Sequence, residues 1–409
     1  MVIGVGLFNI FNLLYHFFMV RALPPIEYGH LNTLMAVFMV CSVPASTVQT
    51  TVTKFISSFH AQKRYDLVKN LLKHLLLLTS IVALTIFLLI FLMSGPITHF
   101  LRISPPSLAI LLGLLLFFAM VIPIPWGGLQ GLQKFNSLTF NLIINGVLKL
   151  FLGICFILLG LGVLGALSAI VLSYIVTTFS SLIMLKRGMP RGKVWIMRSG
   201  NSQNLNPSYL SEVYHYFLPV GVTLLCFMVL TNIDLILVKH FFRPIEAGHY
   251  SIAQMVGKII LFLPVPVVMA MFPKINALDG KRDKMLFTLN RSLGITLMLC
   301  GVAILAVFIF PDLILQILSG KVYPECIPLV RFFSINTTIL SLILVLLYYH
   351  LSTHKRGFLY PLFLFALIQI GSIIFFHQSL MQVLLVVGIV AFCLLIINIY
   401  LIYWRKERK

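Results

Sequence analysis

The sequence predicts an all-α polytopic membrane protein, with about twelve transmembrane helices arranged in two parallel six-helix lobes. Of its 409 residues, 60% are apolar and only 10% are charged, a balance that excludes an ordinary soluble protein. A helical span needs about 20 apolar residues, so twelve spans would use about 240 positions and leave no room for a globular domain. A motif near the start of the chain also recurs in its second half, which indicates two related lobes.

Apolar stretches separated by charges or by Pro and Gly clusters predict the individual helices. The first stretch, at about residues 2–20, has neither the basic n-region nor the small-residue cleavage site of a signal peptide, so we assign it as a span. Because it starts so abruptly, we expect a few leading residues to precede it. The other predicted spans lie at about residues 31–53, 71–93, 107–125, 138–160, 163–185, 213–238, 248–271, 286–309, 326–348, 357–376 and 381–403.

Lys and Arg residues are distributed unequally between alternate connections. One set of connections carries twenty of them and the other set carries five, so the positive-inside rule predicts that both termini are cytoplasmic. The twenty are Lys54, Lys63, Arg64, Lys69, Lys134, Lys186, Arg187, Arg191, Lys193, Arg198, Lys274, Lys281, Arg282, Lys284, Lys355, Arg356, Arg405, Lys406, Arg408 and Lys409. The net charge of +20 indicates loop bias and an anionic lipid surface, not nucleic acid.

The longest connection, at residues 186–212, is basic, polar and rich in Gly, Ser and Asn, which is typical of a linker. It divides the chain into an N-terminal six-helix lobe at 1–185 and a C-terminal six-helix lobe at 213–403. A basic tail follows at 404–409. We expect the linker and the tail to be cytoplasmic.

The repeated motif reads PIEYGHL at Pro25–Leu31 and PIEAGHY at Pro244–Tyr250, 219 residues further on. Six predicted spans separate the copies, so both have the same orientation in the membrane, which implies parallel lobes related by an axis along the membrane normal. Pro at a helix start and an acid in the first turn favour a structural role. We therefore predict that Glu27 and Glu246 open the second and eighth helices without contacting substrate.

A few polar residues interrupt the apolar runs. Asn141, Asn145 and Lys149 follow one another at intervals of four in the fifth span, so they share one helix face. Lys258 shares a face with Gln254 in the eighth span. A charge at mid-membrane costs about 2.5 to 3.5 kcal/mol, so each such cation needs a reason.

These residues predict a wet cationic cavity that receives an anionic substrate. We assign Lys149, Lys258 and, nearer the outer mouth, Arg331 as its cations, and Asn141, Asn145 and Gln254 as accompanying substrate-binding residues. The alternative is that the polar groups only join helices through hydrogen bonds.

Asp234 is the one acid among ten that lies inside an apolar run. Two interpretations stay open for it. It either pairs structurally with Lys239 or Lys258, or it couples transport to an ion.

Signatures of enzymes are missing from the sequence. It contains no paired-carboxylate motif, no nucleophile elbow, no phosphate-binding Gly loop and no His or Cys cluster with metal spacing. We therefore predict no catalytic residues, no metal and no cofactor. Six Cys residues are scattered without paired spacing, so no disulfide frame is predicted.

Several segments resemble the polysaccharide-biosynthesis flippases of the multidrug/oligosaccharidyl-lipid/polysaccharide (MOP) superfamily, which export lipid-linked oligosaccharides. The segments are Arg21–Gly29, Gly128–Phe135, Asn232–Leu237, Glu246–Ser251, and Gly257–Lys258 followed by Pro264 and Phe272–Lys274. The resemblance extends over essentially the whole chain, although Pro24 stands where the family more often has Gly.

The resemblance implies a cell-membrane transporter that moves a lipid diphosphate-linked glycan by alternating access between two lobes. It implies the lipid-linked glycan, membrane lipids and polysaccharide polymerase or glycosyltransferase machinery as partners. Two alternatives stay open. A cation-coupled drug or metabolite antiporter of the same superfamily would rely on intramembrane acids, of which Asp234 is the one offered. A membrane-embedded glycan polymerase or ligase would need a substantial outer loop, and the outer loops are short.

Overall fold

The computed structural model describes residues 2–189, 207–278, 281–353 and 357–404, and within these ranges the regular secondary structure is helical without strands. The predicted all-α fold class is confirmed. The helices are α1 (Val2–Ala22), α2 (Pro25–Cys41), α3 (Val43–Ala61), α4 (Tyr65–Leu92), α5 (Ser94–Phe100), α6 (Ser107–Val121), α7 (Pro123–Gly131), α8 (Phe135–Leu158), α9 (Gly162–Gly188), α10 (Pro207–Phe241), α11 (Pro244–Phe262), α12 (Val265–Asn276), α13 (Arg282–Ile309), α14 (Pro311–Ser319), α15 (Cys326–Ser352), α16 (Leu359–Phe375) and α17 (Leu380–Tyr403).

The protein is a multi-pass membrane protein. Within the described residues, ten segments are long and apolar enough to cross a membrane, and the bent pair α2 and α3 raises the number to eleven if it forms one span. Every one of the twelve predicted stretches contains a helix. The predicted stretch at 357–376 contains α16, which has 17 residues and is apolar, but its length of about 25 Å falls short of the hydrocarbon thickness of about 30 Å.

The order of helices in the first half recurs in the second half. A broken helix formed by α2 and α3 precedes α4, which has 28 residues, and the short α5. A broken helix formed by α11 and α12 likewise precedes α13, which also has 28 residues, and the short α14. The internal repeat inferred from the PIE motif therefore extends to the lengths and order of the helices that follow it.

Both copies of the motif begin a helix, as predicted. α2 starts at Pro25 with Glu27 in its first turn, and α11 starts at Pro244 with Glu246 in its first turn. The Glu246 carboxylate accepts a hydrogen bond of 3.0 Å from the backbone N–H of Arg243. Proline fits this position because the first N–H groups of a helix have no partner within it.

The two broken helices are interrupted at corresponding prolines. α2 and α3 meet at an angle of 43° across Ser42, and Pro44 lies in the first turn of α3. α11 ends just before Leu263 and Pro264, and α12 begins at Val265. A proline removes one backbone donor and clashes with the preceding turn, so the helical hydrogen bonding is interrupted at both places.

The described chain divides into two compact units. The first consists of Met1–Leu23 and Val37–Gly221, and the second of Pro24–Ala36 and Val222–Lys409. Each has its own apolar core, with Ile56 and Leu129 buried in the first and Ile343 and Leu394 buried in the second.

Residues 24–36, which include most of α2, thus group with the second unit, although they precede most of the first unit in sequence. The predicted lobe boundaries at 185 and 213 stay predictions. Most of the predicted linker, at 190–206, lies outside the described residues, as do residues 354–356 and 405–409, which carry several of the basic residues counted for topology.

Candidate functional site

Lys149 is buried inside the first unit, on α8. Its side chain is only 6% exposed, and its Nζ donates a hydrogen bond of 2.9 Å to the Asn12 Oδ1 on α1. The ammonium group also lies 4.3 Å from the centre of the Tyr15 ring, within the range of a cation–π interaction. Tyr15 is held in place because its hydroxyl donates to the Ala166 carbonyl at 2.8 Å. Both partners of Lys149 are neutral, so neither cancels its charge.

Two glycines on α8 allow α1 to come close enough for these contacts. A Cβ on Gly146 would lie 2.8 Å from the Phe11 side chain, and a Cβ on Gly153 would lie 2.8 Å from the Tyr15 ring. Lys149 lies between the two glycines in sequence. Small residues at a helix crossing are the usual means of close packing in membranes. The crossing of α1 and α8 therefore places the Lys149 ammonium against Asn12 and Tyr15.

Asn141 and Asn145 are also buried on α8, but they contact α9. The Asn145 Nδ2 donates to the Thr177 Oγ1 at 3.0 Å. The Asn141 Nδ2 donates to the Ser137 carbonyl at 2.9 Å and lies 3.0 Å from the Met184 sulfur. The predicted polar series therefore has its first two members at the contact with α9 and its last member at the contact with α1.

Asp234 is the centre of a polar network in the second unit. Its carboxyl group is buried, with 3% of the residue exposed. The Tyr250 Oη donates to Asp234 Oδ2 at 2.7 Å, and the Gln254 Nε2 donates to Asp234 Oδ1 at 3.3 Å. Because Tyr250 and Gln254 are four residues apart on α11, one helix face supplies both donors.

The network continues onto α2. The Asn32 Nδ2 donates to Gln254 Oε1 at 3.1 Å and to the Ser251 carbonyl at 3.4 Å. The helices approach closely beside it, since a Cβ on Gly29 would lie only 3.1 Å from the Gly248 Cα. The three side chains Asn32, Gln254 and Asp234 therefore form a continuous hydrogen-bonded chain.

The two remaining predicted cations have different surroundings. Lys258 is partly buried and interacts electrostatically with Asp234, and both interpretations of that acid stay open. The Arg331 Nη2 donates to the Phe308 carbonyl at 3.3 Å, and its guanidinium lies 5.6 Å from the Phe308 ring centre. Arg331 is thus held against the end of α13.

The predicted site residues are divided between the units. Lys149, Asn141 and Asn145 lie in the first unit, and Gln254, Lys258, Arg331 and Asp234 lie in the second. Within the described residues, no group of three or more His, Cys, Asp or Glu side chains has an arrangement that could hold a metal ion.

Asn32 and Tyr250 belong to the Asp234 network, but the sequence analysis did not single them out. A signal was present for both. Asn32 and Ser251 are equivalent in the repeat, and Tyr250 precedes Gln254 by one helical turn.

The match to a protein family identifies the chain more directly. Residues 1–278 match the family described as "Polysaccharide biosynthesis protein". The chain belongs to this family. The matched part of this polysaccharide biosynthesis protein contains Lys149, Asp234, Gln254 and Lys258, and ends before Arg331.

Relatives and solved structures agree with a membrane transporter fold. The chain is 23% identical over 369 residues to "Uncharacterized membrane protein MJ1375" of Methanocaldococcus jannaschii, covering 88% of this chain and 84% of the relative. It is similar in fold to a multidrug resistance MATE family transporter of the MOP superfamily in its inward-facing conformation, with a TM-score of 0.77, 15% identity, and coverage of 97% and 94% of the two chains. It is also similar to the lipid II flippase MurJ in its inward closed conformation, with a TM-score of 0.72, 12% identity, and coverage of 98% and 87%.

Proposed function

We propose that this polysaccharide biosynthesis protein is a flippase that moves a lipid diphosphate-linked oligosaccharide, or a related polysaccharide precursor, across the cell membrane. The family match over residues 1–278 carries the proposal. The similarity in fold to MurJ supports the proposal, because MurJ is described as a flippase of lipid II. The buried cation Lys149, with its neutral partners, supplies a group that an anionic cargo can pair with.

The chemistry of such a cargo explains why a polar path is needed. Each glycan hydroxyl transferred into hydrocarbon without a partner costs several kcal/mol, so the head group needs a wet passage while the lipid tail stays in the bilayer. A diphosphate is paired best by charged hydrogen-bond donors. Lys149, Lys258 and Arg331 supply positive potential, and the amides of Asn141, Asn145 and Gln254 supply further donors and acceptors.

The transport cycle that we propose is alternating access between the two lobes. The internal repeat and the broken helices of each copy fit this mode, since repeated lobes commonly move as rigid bodies around a shared site. Both termini and the linker at 186–212 are cytoplasmic in this proposal, because twenty Lys and Arg residues lie on that side against five on the other. Glycosyltransferases that build the lipid-linked glycan, and a polymerase that extends it, are the partners that this reaction requires.

Flipping of a fluorescent lipid diphosphate-linked disaccharide in proteoliposomes tests the proposal. We expect Lys149→Met to slow flipping about 10- to 100-fold, because a charged hydrogen bond contributes about 1.5 to 3 kcal/mol. Its thermal stability should stay equal or rise, since replacing a buried charge by an apolar side chain is often neutral or stabilising. Lys73→Met is the matched control, because Lys73 is exposed on α4. Full flipping by a Lys149→Met, Lys258→Met double variant would overturn the assignment of the cations.

A cation-coupled drug or metabolite antiporter is the second candidate. The specific observation in its favour is the buried Asp234 carboxyl, which belongs to a network of neutral donors near one cation. Transport of a small organic cation driven by a proton or sodium gradient, without flipping of the lipid-linked disaccharide by the same vesicles, would favour this candidate over the flippase.

A further inference from the structure

Residues 24–36, which include most of α2, pack on α11 through equivalent positions of the repeat. Gly29 lies against Gly248, and Asn32 donates to the Ser251 carbonyl, each pair separated by 219 residues in sequence. From Val37 onward the same helix belongs to the first unit, where the Phe38 ring lies 6.0 Å from the Tyr174 ring. The helix α2 therefore connects a segment docked on α11 directly to the first unit.

The hydrogen bonds between this segment and Asp234 have a fixed direction. Asn32 donates to the Gln254 oxygen, and the Gln254 nitrogen donates to Asp234 Oδ1. Tyr250 donates to the other carboxylate oxygen. When Asp234 is ionised, its two carboxylate oxygens accept from Tyr250 and from Gln254. Each of these hydrogen bonds, and the one from Asn32 to Gln254, then joins a donor to an acceptor.

We propose that Gln254 makes the docking of residues 24–36 depend on the protonation state of Asp234, with Asn32 and Tyr250 as positioning residues. The inference deepens the proposed transport function, because it names the step at which a proton acts on the helices. The pH dependence can be observed without bound cargo, and all of the residues that it involves belong to the second unit.

Protonation of Asp234 reverses the donor and acceptor roles in its hydrogen bond with Gln254. Tyr250 already donates to Oδ2, so the added proton goes to Oδ1, which then needs an acceptor. The Gln254 amide is already hydrogen-bonded to Oδ1, and it can offer its oxygen there only by turning, which places its nitrogen toward Asn32. Two N–H donors then face each other. Asn32 cannot turn in response, because its oxygen would then face the Ser251 carbonyl. The docking hydrogen bond is therefore lost.

Other groups near Asp234 also carry charge. On α11, Lys258 interacts with the carboxyl group electrostatically, and Tyr250 donates its hydroxyl to it. Further along α10, Lys239 interacts with His30 of the docked segment. Because the segment itself carries the titratable side chains Glu27, Tyr28 and His30, the test uses a Glu27→Gln, His30→Asn background to remove the contributions of its acid and its imidazole.

Electron paramagnetic resonance distances test the proposal. Ile26 and Ile245 occupy equivalent positions of the repeat and are both exposed, so Ile26→Cys and Ile245→Cys can carry spin labels on a background without the native Cys residues. The labelled full chain is placed in nanodiscs without cargo and without sodium. The distance distribution is then recorded from mildly alkaline to mildly acidic pH.

We expect a short distance at alkaline pH and an about tenfold lower ratio of docked to undocked segment at acidic pH, as the loss of one buried hydrogen bond implies. Gln254→Leu and Asn32→Leu each remove a different side chain from the hydrogen-bonded series that links Asn32, Gln254 and Asp234, so both should remove the pH response. Asp234→Asn should remove it as well. Gln369→Leu is the matched control, since Gln369 is an equally buried glutamine of the same unit that donates to the Leu230 carbonyl, and it should keep the response.

Three results would overturn the proposal. They are a distance that does not change with pH in the parent protein, a normal response in both Gln254→Leu and Asn32→Leu, and a normal response in Asp234→Asn. Flipping of the lipid diphosphate-linked disaccharide is measured separately on the parent protein. Loss of the pH response with intact flipping therefore refutes the inference alone, and an intact response without flipping refutes the proposed function alone.

Discussion

Gly248→Ala is the sharpest test of the contact between the two copies of the motif. A Cβ at this position would lie 2.4 Å from the Pro25 oxygen and 2.6 Å from the Pro25 carbonyl carbon, far inside the separation of about 3.5 Å at which such atoms pack. Both are backbone atoms in the first turn of α2, so no side-chain rotation relieves the clash. Overpacking of this kind costs about 1 to 3 kcal/mol, against a gain of about 1 kcal/mol in helix propensity.

The expected result is a net loss of up to about 2 kcal/mol, expressed as release of residues 24–36 from α11 rather than as unfolding. The same label pair at positions 26 and 245 reports the release, and thermal unfolding in detergent reports global stability. Gly301→Ala is the control, because a Cβ on Gly301 would meet nothing within 4 Å and should leave both readouts unchanged or slightly raise stability. If Gly248→Ala keeps the short distance as well as Gly301→Ala does, the close approach of the two glycines is not what holds the segment.

Two further predictions concern the first unit and the topology. A double-mutant cycle of Asn145→Val and Thr177→Val, read by unfolding in detergent, should give a coupling of about 0.6 kcal/mol, the average for a hydrogen bond between membrane helices, and a coupling of zero would contradict the observed contact. A single Cys introduced at position 200 should react with an impermeant maleimide in inverted membrane vesicles but not in intact cells, and labelling from outside would refute the cytoplasmic linker.

The positions of the helices were predictable because apolar run length and proline placement are local properties. Each predicted stretch contains a helix, and the breaks lie next to Pro44 and Pro264 as the chemistry of proline requires. The lower count of spans comes from α16, whose 17 residues are apolar but short. α16 is as apolar as the helices counted as spans, and it differs from them in its shorter length.

The partners of the polar side chains were not predictable in the same way. A spacing of four residues places Asn141, Asn145 and Lys149 on one face, but it does not say which helix that face meets. The structure assigns the two asparagines to α9 and the lysine to α1, which Gly146 and Gly153 allow to approach closely on either side of Lys149. The grouping of residues 24–36 with the second unit was also not evident, because it depends on contacts between residues more than 200 positions apart.

Comparison of the two copies of the repeat distinguishes positions with a structural role from positions that supply polar groups. Positions that are identical in the two copies, such as Gly29 and Gly248, begin helices or allow them to touch.

Positions that differ carry the polar network of the second unit. At the common offset of 219, Asp234 corresponds to Tyr15, Tyr250 to Leu31, and Gln254 to Met35. In the first unit the position equivalent to Asp234 thus carries the ring beneath the Lys149 ammonium, and in the second unit it carries an acid. The two units therefore share a structural frame, but at this equivalent position the first has a neutral ring packed against a cation and the second has an acid. We expect the cation of the first to act on an anionic cargo and the acid of the second to act on a proton.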